Sequence, residues 1–457
     1  MAKYRIEKDS FGEIKVNEKN LWGAQTQRSI MNFDIGEEKM PSDFIKAMLC
    51  VKIACARANF KLGKLSKEKA EAIENAAKDI LFNEKLINTQ FPLSIWQTGS
   101  GTQTNMNVNE VISNIAKTKY NINIHPNDDV NMSQSTNDVF PTAMHIATYI
   151  AVNVDLKETL IVLCDTLSLR ERIFEGVIKV GRTHLQDAVP IKVSQEISGW
   201  RHSILANTQE LDLALSMLAF LPIGGTAVGT GLNTPEGFDE FVVDEINEIM
   251  NTQFFRVAPN KFSQLQNKDA LVFTHSAIKA TAMNLMKIAN DIRLLSSGPM
   301  CGIGEYIIPS NEPGSSIMPG KVNPTQCEQI TMIATQILGN DTTISFAASQ
   351  GNFELNVFMP VIIYNIFQSI RLLNDGVNSF IINCLNGLDI NKNKIKENLN
   401  KSLMNVTALN PIIGYDKAAK VAKLALKENI TLKQACVKLG YLTEKEFDKI
   451  IDFKKLV

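Results

Sequence analysis

Hydroxyl, amide and ammonium groups are concentrated in residues 314–324, which read Gly-Ser-Ser-Ile-Met-Pro-Gly-Lys-Val-Asn-Pro. The glycines and prolines in this stretch break helices and favour loops. A polar segment of this kind between long apolar stretches has little to bury, and it indicates a mobile lid for a small anionic ligand. On composition alone, an ordinary surface connection is an equally good interpretation.

Two further polar segments precede helical patterns. Residues 98–103 read Thr-Gly-Ser-Gly-Thr-Gln, and backbone N–H groups at a glycine-rich helix entry form a good carboxylate or phosphate cradle. In the segment from His125 to Asp138, Ser135, Thr136 and Asn137 lie where the next helix begins, a position that favours an anion. Simple N-capping is the alternative for residues 98–103, but a cap needs only one or two such residues.

A third polar segment, from Gly181 to Pro190, separates two helical patterns and contains Thr183 and His184. A glycine-rich break at residues 224–231 is either a turn or a fourth ligand-facing loop, and the sequence does not decide between them.

Long helical patterns must position these segments. The clearest places Ile197, Ile204, Leu211 and Leu218 at seven-residue intervals, which is typical of a bundle helix. Other patterns cover about 41–88 as two helices, 138–169, 269–295, 325–348 and 356–384. Some are apolar around much of their circumference, as at residues 361–367, and such helices must be buried. We therefore expect a homo-oligomer built on a helix bundle.

Composition excludes several classes of protein. The 457 residues include 47 basic and 48 acidic side chains, so nothing favours nucleic acid or an anionic membrane as partner. The N-terminal residues lack an apolar leader and no apolar run could cross a bilayer, so we expect a soluble, cytoplasmic chain. The 7 cysteines and 5 histidines show no ligand spacing. We expect most cysteines to fill the core, and neither metal nor cofactor.

These motifs resemble those of the class II fumarases, metal-free members of the fumarase/aspartase superfamily, from about Trp22 to about Phe447. The stretch at 314–324 is shared across the superfamily, so it is strong evidence for the fold and weak evidence for the substrate. The motifs at 98–103, 181–184 and 318–321 resemble those of fumarases more specifically. Aspartases typically place glutamine where His184 stands and alanine where Gly320 stands.

The resemblance implies an all-α, three-domain chain whose central long-helix bundle assembles into a tetrameric core. We expect an N-terminal, mainly helical domain at 1–134, the long-helix bundle at 135–386 and a small helical domain at 387–457. Each active site would draw residues from three subunits, which would explain why the polar segments lie so far apart in sequence.

The resemblance also implies the reaction, a reversible hydration of fumarate to (S)-malate through a carbanion. Donors aimed at the developing charge would contribute most to catalysis. His184, oriented by Glu328, would act on the water, because the reference pKa of histidine is about 6.5. Ser315 would remove the C–H proton. The implied substrate-binding residues are Ser100, Gly101, Thr102, Ser135, Thr136, Asn137, Thr183, Ser316, Lys321, Val322 and Asn323.

A second dicarboxylate site, away from the chemistry, is implied at His125, Pro126, Asn127 and Asp128. Three positions depart from the usual pattern: Thr136 replaces a common serine, Met359 a lysine and Ile412 a histidine. Two other functions stay open, an aspartate ammonia-lyase, which His184 and Gly320 disfavour, and a non-catalytic structural tetramer, which the intact candidate residues disfavour.

Overall fold

The structure is a computed structural model that describes residues 3–457, and it is mainly helical. The helices in chain order are α1 Ala24–Asn32, α2 Ser42–Lys61, α3 Lys67–Leu81, α4 Glu84–Gln90, α5 Thr102–Tyr120, α6 Thr136–Ile150, α7 Lys157–Ile173, α8 Val193–Leu218, α9 Phe238–Ile249, α10 Lys261–Gln266, α11 Asp269–Leu295, α12 Thr325–Ala348, α13 Met359–Asn383, α14 Lys392–Lys401, α15 Asn410–Ile413, α16 Tyr415–Glu428, α17 Leu432–Lys438 and α18 Glu444–Ile450. The strands are β1 Tyr4–Asp9, β2 Gly12–Asn17, β3 Ile178–Thr183, β4 Gln186–Lys192, β5 Phe220–Leu221, β6 Arg256–Val257, β7 Tyr306–Ile307 and β8 Asp389–Ile390.

Within the described residues, the chain divides into two compact units. Unit 1 contains residues up to 158 together with 209–280 and 335–374. Its core forms around α2, which is buried along most of its length and packs against α3, α6 and α9. Asp43 in the first turn of α2 and Lys61 in its last turn complement the helix dipole.

Part of the long-helix bundle lies in unit 1. The fully buried His275 on α11 hydrogen-bonds to Asp341 on α12 and to Ser369 on α13, at 2.9 Å in both cases. Lys279, one turn further along α11, also reaches Asp341, at 2.6 Å. These polar contacts join three helices and restrict their register.

Unit 2 contains residues 159–208, 281–334 and 375–457. The antiparallel hairpin β3–β4 projects from it, and α8 begins directly after β4. The indole of Trp200 on α8 donates to Asp291 on α11 at 3.0 Å. Residues 406–447 of the C-terminal helices form an apolar cluster of their own, which includes Leu409, Val421 and Phe447.

The helical predictions are confirmed in outline. Two helices occupy residues 42–81, and the heptad pattern is the 26-residue helix α8. Helices α11 and α12 have the predicted bounds, and α13 lies within three residues of them. Pro141 lies inside α6. Six of the seven cysteines are buried, which confirms their assignment to the core.

Two polar stretches are strands and not loops. Residues 4–17 form the hairpin β1–β2, and the polar segment at 181–190 contributes to the hairpin β3–β4. The domain boundaries at residues 134 and 386 stay a prediction. Among residues 3–457, no helix is long and apolar enough to span a bilayer.

Candidate active site

The glycine-rich entry of α5 requires its glycines. A Cβ on Gly99 would lie 1.4 Å from the carbonyl oxygen of Val357, so no side chain fits there. Gly101 has φ +80°, and a Cβ on it would lie 2.1 Å from the ring of Phe140. The loop therefore packs its backbone directly against neighbouring elements of unit 1, and its polar side chains are held in one place.

Ser100 and Thr102 stand together at this entry, with their hydroxyl oxygens 2.9 Å apart. The N-cap residue of α5 is Gly101, which offers no side-chain acceptor to the first-turn N–H groups. The Thr104 N–H of this first turn donates to Gln97 Oε1 at 3.1 Å. The remaining N–H groups at the helix N-terminus favour an anion, and the two hydroxyls lie beside them. The geometry thus supports the predicted carboxylate cradle.

The entry of α6 lies beside that of α5 in unit 1. Ser135 is the N-cap residue of α6, and its Oγ accepts the Asn137 N–H at 3.2 Å. Thr136 is buried, and its Oγ1 accepts an N–H from Asn105 of α5 at 3.0 Å. This contact joins the two helix entries, so the structure brings together the predicted sets at residues 100–102 and 135–137.

Asp138 completes this arrangement from a fully buried position. Its Oδ1 accepts the Ser135 N–H at 3.0 Å, and its Oδ2 accepts the N–H groups of Gly224 and Thr226, both at 2.9 Å. Burial raises the pKa of Asp138 to about 6, although these hydrogen bonds and Lys52 oppose the shift. The glycine-rich break at 224–231 is therefore a turn tied to the start of α6.

A cleft of about 730 Å³ opens in front of these residues. Its lining combines polar and apolar side chains and comes from unit 1 alone. It consists of Lys64, Asn127, Asp128, Asn131, Met132, Ser133, Gln134, Ser135, Thr226, Ala227, Leu232, Asn233, Thr234 and Pro235. Thr226 and Ala227 of the glycine-rich turn line the same cleft as Ser135.

The predicted second dicarboxylate site is a short π-helical turn, Pro126–Val130, preceded by His125. The exposed imidazole of His125 accepts the Asp128 N–H at its Nδ1, at 3.1 Å. Asn127 and Asp128 line the cleft, while His125 and Pro126 line a separate cavity of about 520 Å³. The segment thus lies between two openings.

In unit 2, Thr183 and His184 occupy the exposed tip of the hairpin β3–β4. Thr183 pairs with Gln186, so His184 and Leu185 form a two-residue turn, with φ +58° and +61°. Turns of this kind usually use Asn-Gly, because other residues are strained at positive φ. The backbone strain holds the imidazole at the end of the hairpin, exposed to solvent.

The lid is a closed loop in unit 2. At its neck the Gly314 N–H donates to the Lys321 carbonyl at 2.8 Å, and the Asn323 amide donates to the Gly314 carbonyl at 2.6 Å. The Oγ of Ser315 accepts the N–H groups of Ile317 and Met318 at 3.2 and 3.1 Å. These two donors stabilise negative charge on Oγ. Ser316, Lys321 and Val322 are exposed on the same loop.

His184 and Glu328 do not meet within one chain. Both side chains are exposed, and among residues 3–457 no hydrogen bond joins the hairpin tip to Glu328 or to the lid. The single chain therefore presents its candidate residues as separate sets: the helix entries in unit 1, and the hairpin and lid in unit 2.

Four residues that support these helix entries were not predicted: Lys52, Asn131, Gln134 and Asp138. The Lys52 ammonium donates to the side chains of Asn131 and Gln134, and the charge of Asp138 acts on it through space. One signal was available: Lys52 stands within the apolar run Leu49–Ala56 of a predicted helix, where a lysine is unexpected.

Comparison with known proteins agrees with this geometry. A family described as lyase matches residues 12–339, and one described as fumarase C C-terminus matches residues 406–457. The fumarate hydratase class II of Bacillus cereus is 56% identical over 99% of both chains. That of Helicobacter pylori strain 26695 is 54% identical, again over 99% of both.

The chain belongs to the class II fumarate hydratase family.

Solved structures extend the likeness to three dimensions. A recombinant class II fumarase from Schistosoma mansoni matches with a TM-score of 0.96 and 41% identity over 99% of both chains. A fumarate lyase:delta crystallin from Brucella melitensis matches with a TM-score of 0.94 and 37% identity over 100% of both. The mainly helical fold expected from the sequence is therefore that of the fumarase superfamily.

The family membership puts the departures from the usual pattern in context. Thr136 keeps the hydroxyl that Asn105 contacts, and its extra methyl group is buried. Met359 is fully buried at the start of α13, a position suited to its apolar side chain. Ile412 is exposed on α15, and nothing in the described structure gives it a role.

Proposed function

We propose that this chain is a metal-independent carbon–oxygen lyase that catalyses the reversible, stereospecific hydration of fumarate to (S)-malate, a reaction of the tricarboxylic acid cycle. The observation that carries the proposal is the pair of helix entries joined by the Asn105–Thr136 hydrogen bond, which present hydroxyls and N–H groups suited to a small dianion. Full-length identity of 56% to a fumarate hydratase class II supports it.

In the malate-to-fumarate direction, a base removes the C–H proton beside one carboxylate and hydroxide leaves the next carbon as water. We assign the proton removal to Ser315. The Ile317 and Met318 N–H groups that donate to its Oγ stabilise the alkoxide, and they therefore lower the free-energy cost of forming this base in the site. The resulting carbanion spreads its charge into the adjacent carboxylate.

The carboxylate that receives this charge needs fixed donors. Lys321, Asn323, Ser316 and the backbone at Val322 belong to the lid and would close on one carboxylate. Asn323 uses one amide N–H to hold the lid neck, which leaves its second N–H for substrate. Once the lid has closed, these groups are in place before the proton is removed, so they stabilise the carbanion more than the ground state.

His184 is the proposed acid–base group for the water, with Thr183 beside it. Its exposed position at a strained hairpin tip suits insertion into a site completed by other chains. Glu328 would orient its imidazole from a neighbouring subunit, since the two side chains do not meet within one chain. Ser100, Gly101, Thr102, Ser135, Thr136 and Asn137 would complete the polar cage around the substrate.

The assembly that this requires is a homotetramer with shared active sites. Exposed apolar side chains on long helices support it: Ile161 and Val162 on α7, Leu213 on α8, Met283 on α11, and Met332 and Phe346 on α12. Apolar surface of this kind on a folded chain marks a protein interface. Most of residues 361–367 on α13 are already buried within their own chain, so they do not support an interface between subunits.

The segment at residues 125–128 is the proposed second dicarboxylate site. The proposed compartment is the cytoplasm.

The proposed reaction can be tested directly. Purified chain incubated with malate should produce fumarate, seen as a rise in ultraviolet absorbance, and should do so after treatment with a metal chelator. Absence of this rise with malate would contradict the proposal.

A further inference from the structure

Lys52 is a fully buried lysine in the middle of α2. Its side chain is 0% exposed, and it stands in the apolar segment Leu49–Ala56. Burying an ammonium group is costly unless its three N–H donors and its charge are compensated. The reaction assigned above does not use Lys52, so its burial needs a separate explanation.

Two side-chain amides hold the ammonium group. Nζ donates to Asn131 Oδ1 at 3.0 Å and to Gln134 Oε1 at 2.9 Å. Both amides direct their own N–H groups elsewhere, Asn131 to the Gln134 carbonyl and Gln134 to the Val130 and Met132 carbonyls. The amide oxygens are therefore fixed toward Lys52.

The same amides line the cleft in front of Ser135, so the positive charge lies one side chain behind the cleft wall. The network also continues into the proposed site. Asn131 Oδ1 accepts a second N–H from Asn105 at 3.0 Å, and Asn105 donates to Thr136 Oγ1 at the same distance. Lys52 is thus connected to Thr136 through two side chains.

The charge of Lys52 is not neutralised by an ion pair, since within residues 3–457 no carboxylate lies within 4.0 Å of Nζ. Two titratable groups influence it, Cys55 on the same helix and Asp138 on α6. All three hydrogen bonds recorded for the Asp138 carboxylate come from backbone N–H groups. Burial lowers the pKa of Lys52 to about 7, although Cys55 and Asp138 raise it. A dianion in the cleft would favour the protonated form.

We propose that Lys52 is a positioning residue for the dianionic substrate, which orients Asn131 and Gln134 in the cleft wall and places a buried positive charge behind them. This inference rests on the proposed hydratase function. Lys52 makes no contact with the reacting atoms in this account, so its removal should weaken binding of the dianion and largely spare the chemical step.

The chain offers a matched control in Lys268. This lysine is also buried in unit 1, and burial lowers its pKa to about 7 as well. Its Nζ donates only to the backbone carbonyls of Gln264, Leu265 and Asn267, none of which lines the cleft. Lys268→Met therefore removes a buried ammonium without touching the network of Lys52.

The experiment compares the wild-type chain, Lys52→Met and Lys268→Met after malate activity of the wild type has been established. Inhibition by succinate, a dianion, is compared with inhibition by butyrate, a monoanion of similar length. We expect Lys52→Met to raise the KM for malate and the Ki for succinate about tenfold or more, to raise the Ki for butyrate less, and to change kcat by less than about threefold. Lys268→Met should leave all of these near wild type.

Several results would overturn the inference: an unchanged succinate Ki in Lys52→Met, equal losses for succinate and butyrate, or equal losses in the two lysine variants. A wild-type chain without malate activity would instead overturn the proposed function. If Lys52→Met does not fold, Lys52→Gln takes its place, because it removes the charge while keeping an N–H donor for the two amides. Equal losses for succinate and butyrate in that variant would equally contradict the inference.

Discussion

The guanidinium group of Arg182 and the carboxylate of Glu305 form a two-pronged ion pair inside unit 2, with N–O distances of 2.8 and 3.0 Å. Glu305 is wholly buried, and it also receives a hydrogen bond from Asn398 of α14 at 3.0 Å. Lys179 Nζ lies 3.3 Å from the same carboxylate. Since Arg182 directly precedes Thr183 and His184, this pair fixes the base of the hairpin tip that carries the proposed acid–base group.

Replacing Glu305 should therefore be strongly destabilising. Burial alone would raise the pKa of Glu305, but Arg182, Lys179 and Asn398 outweigh burial and hold it below its usual value. Glu305→Gln removes the buried carboxylate that Arg182 and Lys179 share, although Lys179 keeps its ion pair with Glu196 at 2.8 Å. We expect a loss of about 3–5 kcal/mol in the free energy of unfolding. Urea denaturation at fixed protein concentration measures this loss.

The more exposed pair of Arg201 and Glu171 is the control, with exposed side-chain fractions of 32% and 17%. Glu171→Gln should cost only about 0–1 kcal/mol. Similar losses in Glu305→Gln and Glu171→Gln would show that the buried pair has no special structural role.

Asp138 should make stability depend on pH. Burial raises its pKa in the folded chain to about 6, from an ordinary value of 3.8. The stabilisation linked to its protonated form is fully present below about pH 4 and is lost as pH rises through about 6, by an amount on the order of 2–3 kcal/mol. Asp138→Asn should remove that decrease. The free energy of unfolding is measured for the wild-type and Asp138→Asn chains between pH 4 and pH 7. An equal pH dependence in both chains would refute the assignment.

The lid neck should tolerate no side chain at Gly314. A Cβ there would lie 2.5 Å from the Lys321 carbonyl oxygen and 2.9 Å from the Asn323 nitrogen, whereas a Cβ on Gly320 would meet nothing within 4 Å. Gly314→Ala should open the neck and lower kcat/KM at least about tenfold. Gly320→Ala, which carries only the strain of φ +78°, should retain more activity. Initial rates with malate measure both, and a fully active Gly314→Ala chain would contradict a closed lid.

His184→Asn should lower kcat by about 10²–10⁴-fold while changing KM far less, because general acid–base catalysis contributes on that scale. Steady-state kinetics with malate separate the two effects. A variant with wild-type turnover would remove His184 from the chemistry.

Shared active sites lead to a prediction about mixtures. His184→Asn and Ser315→Ala chains should each be nearly inactive as pure tetramers. If their two residues come from different subunits, co-refolded mixtures contain some sites in which both are intact, and activity reappears. Mixtures that stay as inactive as their components, with sedimentation showing mixed tetramers, would mean that each chain builds its own site.

Sequence patterns were sufficient where they repeat over many residues. The heptad spacing from Ile197 to Leu218 lies entirely within α8, and the hydroxyl-rich motifs indicated both helix entries of unit 1. The hairpins were missed for a physical reason. The turn residues His184 and Leu185 are not turn formers, and the alternating exposed and half-buried residues of β1 show no apolar face.

The support behind the helix entries could not be predicted, because it depends on contacts between residues far apart in sequence. Lys52 meets Asn131 only when α2 packs beside the segment that follows α5. Likewise, Asp138 becomes buried only when residues 224–226 fold over it. Composition shows that such groups exist, but tertiary packing decides which of them meet.

The most direct test of the account is the ultraviolet absorbance of fumarate produced from malate and, in a parallel reaction, from aspartate. We expect the purified chain to form fumarate from malate and not from aspartate. Fumarate from aspartate alone would identify an ammonia-lyase, and no product from either substrate would favour a structural protein; both results would contradict the proposed hydratase.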